Sequence, residues 1–277
     1  MLRAFLRYLW QEWFRQVGEA LLVALIVTTY VFTTVQVVGN SMYPTLRNGE
    51  RVFVPKYRMW LVRLGFDQWQ RGEIAIIKPP EGAPNSVAPF PVLGFKYRPY
   101  FIKRIVALPG DRVRIERGQL FVNDYPVPEP HITDKITPYP DAFPVVQLYE
   151  GRVVALGVGG MLIPAERLPD YLKPVLEMLE PPPKDLLARS YETPVMYVPN
   201  IILPEDYYFV LGDNRTLGGS EDSRIFGPLP GKKIAGTATF VWWPVFTRDD
   251  EGRLRLNLRR LTIPEGYRRV PPPSQSP

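Results

Sequence analysis

Gly39-Asn40-Ser41-Met42-Tyr43-Pro44-Thr45-Leu46 follows directly on the only long apolar segment of this 277-residue chain. A glycine, a serine and a proline-stiffened turn hold one hydroxyl in the open. Taken alone the stretch says little, because most turn serines only cap or hydrogen-bond the backbone. Its meaning comes from its flanks. Upstream lies a run with the length of a membrane helix. Downstream lie short strand-like segments punctuated by proline and glycine. Together they predict a mainly β protein, with a mixed antiparallel sheet behind one N-terminal transmembrane helix.

Upstream, residues 1–16 carry Arg3, Arg7 and Arg15 against Glu12, with Trp10 and Trp13 among them. Leu2, Phe5, Leu6, Leu9 and Trp13 fall near helical spacing, as at the start of an interfacial helix. From Ala20 to Leu46 there is no charged residue, and Val17–Val38, apart from Glu19, is overwhelmingly apolar or threonine. Crossing a bilayer core takes roughly 20 residues. A cleaved signal peptide would have a shorter core and a small-residue exit; here the exit is the bulky Val35-Gln36-Val37-Val38. A retained anchor is expected. The positive-inside rule puts residues 1–16 in the cytoplasm and the residues beyond the span on the outer face. The β-branched end of the run is expected to leave the helix as a strand leading to Ser41.

Downstream, Glu50–Val54 alternates before Pro55, and Gly72–Lys78 is a short isoleucine-rich run stopped by Pro79-Pro80. Residues 80–99 read as a loop. Tyr100–Leu108 reads as a strand ending at the turn dipeptide Pro109-Gly110. Val113–Ile115 and Leu120–Val122 read as a hairpin. Residues 124–199 are rich in proline, with one weak helical pattern over Glu166–Leu179, and are expected to form an inserted cap. Tyr207–Leu211 and Ile234–Trp243 are predicted strands. Leu254–Arg259 alternates with period two, as an edge strand with one leucine face. Residues 271–277 are expected to be disordered. The predicted organisation is therefore 1–38 basic segment and anchor, 39–123 and 200–277 the two parts of the core with its tail, and 124–199 the cap.

Composition removes whole classes of chemistry. There is no cysteine and one histidine, His131. Thiolate nucleophiles, disulfides, cysteine-based zinc sites and multi-histidine metal sites are thereby excluded. A Ser-His-Asp triad would need His131, in the poorly supported stretch Pro128-Glu129-Pro130-His131. The net charge of +6 is scattered among many acids and fits a solvated surface. No nucleic-acid module is visible. No metal and no cofactor are expected.

A serine hydroxyl is a poor nucleophile until a base takes its proton. With histidine set aside, the base is a carboxylate or a lysine. A lysine qualifies only if burial lowers its pKa. Lys103 sits in Tyr100-Phe101-Ile102-Lys103-Arg104-Ile105-Val106, in the middle of a hydrophobic strand. Alternation puts Lys103 and Phe101 on one face, with Ile102 and Arg104 on the other. The competing reading is a strand lysine that reaches out to solvent.

Three stretches settle the comparison: Gly-Asn-Ser41-Met-Tyr-Pro-Thr-Leu; Phe-Ile-Lys103-Arg-Ile-Val-Ala-Leu-Pro-Gly-Asp111; and Gly-Asp213-Asn-Arg followed by Ser220-Glu-Asp222-Ser-Arg224. They resemble the successive boxes of bacterial type I signal peptidases (leader peptidases), and Arg71-Gly72-Glu73-Ile74 resembles the box between the first two. The likeness covers roughly 38–123 and 200–244 and leaves 124–199 uncovered. It implies the signal-peptidase and LexA-like β fold and a Ser/Lys dyad, with Ser41 as nucleophile and Lys103 as general base. Ser220 matches the serine that orients the lysine, although four residues, Thr216-Leu217-Gly218-Gly219, separate it from Arg215, more than the family spacing. Asp213, Asp222 and Arg224 match residues that hold the site by ion pairing, and Arg104 belongs to the same support. The Ser41 N–H is the implied oxyanion donor. Where some homologues add a hydroxyl, this chain has Gly39.

The implied substrate is the signal peptide of a secretory preprotein, added as a strand beside Val35–Gly39 and Tyr100–Ile102. Val37, Val38, Met42, Leu46, Phe101 and Ile102 are the expected lining of shallow pockets for small side chains. Membrane lipid is the other expected partner, with Trp242 and Trp243 as lipid-facing candidates against a core reading. The expected location is the bacterial cytoplasmic membrane, single-pass, with the catalytic domain on the outer face. Two other readings compete: a LexA-like self-cleaving protease, and an inactive membrane-tethered homologue that only binds peptides.

Overall fold

The computed structural model describes residues 2–89, 95–132, 142–216, 218–248 and 251–273. The side chains of residues 2–6 and Leu9 lie outside the described residues, and with them most of the predicted interfacial face. Leu2–Ile26 is a helix that continues through a wider π-helical turn, Val27–Val31, and gives way to the strand Phe32–Gln36. The apolar stretch Trp10–Val31 is long enough to cross a membrane and is not buried against the protein. The helical part ends at Val31, and the β-branched end of the apolar run leaves it as a strand, as expected. The β-branched Val27-Thr28-Thr29 and Thr33-Thr34-Val35 favour the extended backbone that comes next.

Every strand pair among the described residues is antiparallel. The first sheet runs in the order Phe32–Gln36, Arg51–Pro55, Phe240–Trp243, Arg259–Arg260. The second runs Leu229–Pro230, Tyr207–Leu211, Phe101–Ala107, Ile74–Ile77, Ile234–Ala238. The two meet over Val37, Met42, Leu46, Val52, Val54, Ile74, Ile76, Ile102, Ala238 and Val241. Inward residues alternate with outward ones in the first sheet, whereas Ile74–Ile77 is buried at every position. A strand covered on both faces loses the alternation that marks a half-exposed one.

The run Ile234–Trp243, read as one strand, is two. It breaks at Thr239 and passes from the second sheet to the first. Gly236, at φ 149°, allows the irregular pairing that starts the turn, and a Cβ there would lie 2.8 Å from Val54. The short helix Lys56–Arg63 has no counterpart in the sequence reading. Within 80–99, Ala88–Pro89 pairs with Lys96–Tyr97, so the expected loop holds a small hairpin; residues 90–94 lie outside the described residues.

The segment 124–199 builds a four-stranded sheet of its own: Met161–Pro164, Arg152–Val158, Val145–Tyr149, Val195–Tyr197. Its Val146, Leu156, Leu168, Leu172 and Val175 share one core with Val106, Val113, Ile115 and Phe209. The helical pattern over Glu166–Leu179 becomes a 3-10 turn, Ala165–Arg167, and a short helix, Lys173–Glu177. Pro169 interrupts the first and Pro174 starts the second. The leucines of 254–259 do not face the core. Leu254–Leu256 pairs with Phe246–Arg248 as a separate hairpin, leaving Leu254 and Leu256 exposed. The C-terminal stretch is anchored further than expected: Asn123 Nδ2 donates to the Pro271 carbonyl at 2.8 Å, and residues 274–277 lie outside the described residues.

Candidate active site

The Ser41 turn is held from three directions. Gly39, at φ +87°, makes the left-handed bend that a side chain would strain, and its N–H donates to Asn48 Oδ1 at 3.0 Å. Thr45 Oγ1 donates to Asp213 Oδ2 at 2.5 Å, and the Thr45 carbonyl accepts from Arg259 at 2.9 Å. The Ser41 carbonyl accepts the Asn214 N–H at 3.1 Å. Ser41 itself is partly exposed, and its own N–H makes no hydrogen bond among the described residues.

Lys103 lies on the Phe101–Ala107 strand and is 3% exposed. The strand is paired with Ile74–Ile77 along Phe101–Arg104, Lys103 lying opposite Ala75. On its other side Tyr207–Leu211 pairs only as far as Leu211 opposite Arg104. Among the described residues the edge of Phe101–Lys103 is therefore unpaired where the next residue, Gly212, turns toward Ser41. Burial pulls the Lys103 pKa down from 10.5 to about 8, against the opposing pull of Asp222 and Glu221. Its Nζ lies 5.5 Å from the centre of the Phe101 ring, on the face that strand alternation gives.

Arg104 points the other way and is 1% exposed. Its Nε and Nη2 grip both oxygens of Asp213 at 2.8 and 2.6 Å, and its Nη1 donates to the Gly72 carbonyl at 2.6 Å. Burial works to raise the Asp213 pKa, but Arg104 and Thr45 outweigh it and keep the carboxyl below its ordinary value. Asp222 behaves in the same way. Burial opposes its charge, while Arg224 and the Gly212 N–H, 2.9 Å away, hold it ionised. Arg224 bonds Asp222 at 2.9 and 2.8 Å. A buried ion pair of this kind adds little net stability, because desolvating both charges offsets their attraction, yet removing either partner leaves a bare buried charge.

Ser220 is the residue the structure treats differently. It packs against Gly212, but its buried Oγ has no hydrogen-bond partner, so the implied bond to Lys103 is not made here. The longer loop before it is closed on itself, with Thr216 Oγ1 donating to Asn214 Oδ1 at 2.6 Å. Leu217 lies outside the described residues.

Of the expected pocket residues, Val37, Met42, Leu46 and Ile102 are buried in the core between the two sheets, Phe101 is half-buried, and Val38 is 81% exposed. The first four thus form the floor under the site and not an open lining. His131 is half-buried beside Asp213, with Nε2 3.9 Å from Oδ1 and neither ring nitrogen hydrogen-bonded among the described residues. Burial, reinforced by Arg104, holds its pKa below the usual value, so it is neutral at neutral pH. The Arg71 guanidinium bonds Asp111 on both oxygens, Nε at 2.7 Å, tying two boxes together.

The sequence reading missed Thr45, Gly212, Arg215, Glu129 and Tyr267. Thr45, Gly212 and Arg215 stood inside the motifs that carry the resemblance. Glu129 was marked only by the flanking prolines that made His131 look unsupported. Among the described residues, no group of three or more His, Asp or Glu side chains is placed to hold a metal ion.

The family model described as signal peptidase, peptidase S26, matches residues 10–243. Signal peptidase I S of Bacillus subtilis is 28% identical over 235 residues, covering 84% of this chain and 89% of its own length. Signal peptidase I of Bacillus licheniformis is 29% identical over 234 residues, 84% of this chain and 88% of its own. The chloroplastic thylakoidal processing peptidase 1 of Arabidopsis thaliana is 32% identical over 206 residues, 74% of this chain and 40% of that longer protein. With a match running from the N-terminal helix to the strand Phe240–Trp243, the chain belongs to the signal peptidase family, peptidase S26.

Proposed function

We propose that this protein is a membrane-anchored serine endopeptidase that removes N-terminal signal peptides from exported preproteins through a Ser41/Lys103 acyl-enzyme. The observation that carries the reading is Lys103: a buried lysine with its pKa lowered to about 8, on the strand that adjoins the Ser41 turn. A neutral lysine takes the Ser41 proton as the hydroxyl oxygen attacks the peptide carbonyl. The protonated lysine then gives its proton to the leaving amine. Water, activated by the same group, releases the acyl-enzyme. The unpaired Ser41 N–H supports a role as oxyanion donor. Asp213, Arg104, Asp222 and Arg224 hold the two halves in place.

Two strand edges that are free among the described residues support the substrate's place. Phe32–Gln36 is the edge of its sheet, and Phe101–Lys103 has no paired strand on the side facing Gly212. An extended peptide fits there by β-addition. The Trp10–Val31 helix supports an anchor with the N-terminus cytoplasmic and the catalytic part on the outer face of the bacterial cytoplasmic membrane. Aromatic rings gather near its end: Tyr30 with Trp60 at 6.3 Å and Phe32 with Phe53 at 4.9 Å. Lys56 Nζ donates to the Thr28 carbonyl at 2.7 Å, keeping the short helix Lys56–Arg63 beside the anchor. Rings at that level suit the lipid–water interface.

The decisive experiment incubates the full chain, in vesicles, with a preprotein beside the Ser41→Ala variant and maps the cut by mass spectrometry. A single cut after the signal peptide, absent with Ser41→Ala, is the expected result. Cleavage of the enzyme alone would favour a LexA-like self-protease, and no cut at all a peptide-binding homologue.

The direction of the Lys103 shift sets the pH dependence. The active form is the neutral lysine, so kcat/KM rises with pH, reaches half its maximum near the Lys103 pKa of about 8, and levels off above it. A midpoint near the ordinary 10.5 would contradict a desolvated lysine. Stability has its own sign. Between about 8 and 10.5 the unfolded lysine holds a proton that the folded one lacks, so this group's contribution to stability rises with pH through that window.

A further inference from the structure

The hydrogen bonds around Gly212 do not end at the residues of the family boxes. Gly212 comes directly after the strand Tyr207–Leu211. Its N–H donates to Asp222 Oδ2 at 2.9 Å, and its carbonyl accepts from Arg215 Nε at 2.8 Å. Its bare face touches the nucleophile turn: a Cβ there would lie 2.5 Å from the Ser41 carbonyl oxygen and 2.1 Å from Ser220 Oγ. The place of Gly212 therefore sets the place of Ser41.

Arg215 is 2% exposed and needs a counter-charge where it lies. Its Nη2 meets Glu129 Oε1 at 2.6 Å, and the same oxygen accepts the Tyr267 hydroxyl. Two donors on one carboxyl oxygen fix the direction in which Glu129 pulls on Arg215. Glu129 comes from the inserted segment. Tyr267 comes from the short helix Glu265–Arg268, beyond residues 10–243 matched by the family model. The docking is close. A Cβ on Gly266 would lie 2.0 Å from the Pro128 carbonyl oxygen, and the Tyr267 side chain packs on Gly72, whose carbonyl holds Arg104. Tyr267 is 2% exposed, and burial together with Glu129 raises its pKa well above the ordinary value, so its hydroxyl stays a donor.

We infer that Tyr267 is a positioning residue for the nucleophile turn, acting through Glu129 and Arg215 on Gly212, and that the C-terminal segment carrying it is part of the support of the active site. The inference rests on the reading of Ser41 and Lys103 given above. Removing the hydroxyl leaves Glu129 free to turn, Arg215 moves with it, and the Gly212 carbonyl loses the donor that orients it. Ser41 then drifts against Lys103. The open edges of Phe32–Gln36 and Phe101–Lys103 are untouched, so substrate still binds. The signature is a fall in kcat at constant KM.

The test uses the full chain in vesicles with a preprotein peptide and measures Tyr267→Phe, Glu129→Gln and the double variant, with Ser41→Ala as the blank. Tyr267→Phe keeps the ring and its packing. It should lower kcat about tenfold with KM within about twofold, as a misaligned nucleophile does. Glu129→Gln should lower kcat in the same way. Because the two act through one chain of contacts, the double variant should lose no more than the worse single variant. Activity is compared below the melting midpoint of each variant, so a loss of fold does not count as a loss of kcat. Wild-type kcat in Tyr267→Phe overturns the inference, as do losses that multiply in the double variant or a loss confined to the melting midpoint. If Ser41→Ala cleaves as the wild type does, it is the dyad reading that falls.

Discussion

Lys103→Arg is expected to abolish preprotein cleavage, lowering kcat/KM by about 10³- to 10⁴-fold, the usual worth of a general base. Both side chains carry a positive charge and both are long, so the loss isolates one property. A guanidinium cannot give up its proton near neutral pH and has no lone pair to accept one. Lys103 can, because burial brings its pKa down to about 8. The companion variant Lys103→Met separates chemistry from folding. It is equally inactive, yet it removes a charge that is 3% exposed and has no full partner. A shift from 10.5 to about 8 corresponds to a burial cost on the order of 3 kcal/mol at neutral pH. Lys103→Met should therefore melt several degrees higher than the wild type. Wild-type cleavage by Lys103→Arg would remove the dyad. A lower melting midpoint for Lys103→Met would contradict the view that the lysine is held there against its own solvation.

Gly212→Ala is expected to cost about 10²-fold in kcat, the effect of a displacement near 1 Å at a reacting group. The reason is space. The added methyl would meet Ser220 Oγ at 2.1 Å, Ser220 Cβ at 2.5 Å and the Ser41 carbonyl oxygen at 2.5 Å. The serine side chain can turn away, but the Ser41 carbonyl is backbone and must move with the turn that carries the nucleophile. Overpacking of this kind also destabilises, by about 1 to 3 kcal/mol. Adding Ser220→Gly removes two of the three contacts and leaves that with Ser41. If the Ser41 contact is the one that matters, the double variant stays slow while its melting midpoint recovers. Full recovery of kcat would shift the blame to Ser220, and an unimpaired Gly212→Ala would dispose of the close approach altogether.

Much of the sheet structure was legible because it is local. Tyr207–Leu211 and Phe101–Ala107 stand between proline and glycine signals that stop a strand wherever they occur. The same locality explains the errors. The apolar run Ile234–Trp243 carries no proline or turn dipeptide where the chain changes sheets, although its first half is largely buried and its second half mostly is not. The helix Lys56–Arg63 mixes charged and aromatic residues in no clear pattern, and it is tied to the distant N-terminal helical segment through Lys56 and the Thr28 carbonyl. In 124–199 the prolines masked the strands of a sheet whose core belongs to the rest of the protein. Leu254 and Leu256 alternate as a buried strand does, yet the hairpin they form presents them to the outside.

The sequence by itself determined the chemistry on offer. With no cysteine and one histidine, thiolate and multi-histidine chemistry were excluded and a serine was left with a carboxylate or a lysine as its base; the resemblance of the boxes to those of signal peptidases is what singled out Lys103. It also determined the apolar N-terminal helix, because length and composition suffice for that. Only the tertiary structure decided how the pair is supported. The Lys103 environment is made by Asp222, Glu221 and Arg224 from beyond position 220, and the Ser41 turn is held by Asp213, Asn214 and Arg259. Arg215, Glu129 and Tyr267 meet across 86 and 138 residues of chain. Backbone preference and periodicity act over a few residues, whereas burial and ion pairing depend on which distant segments exclude water from the same place.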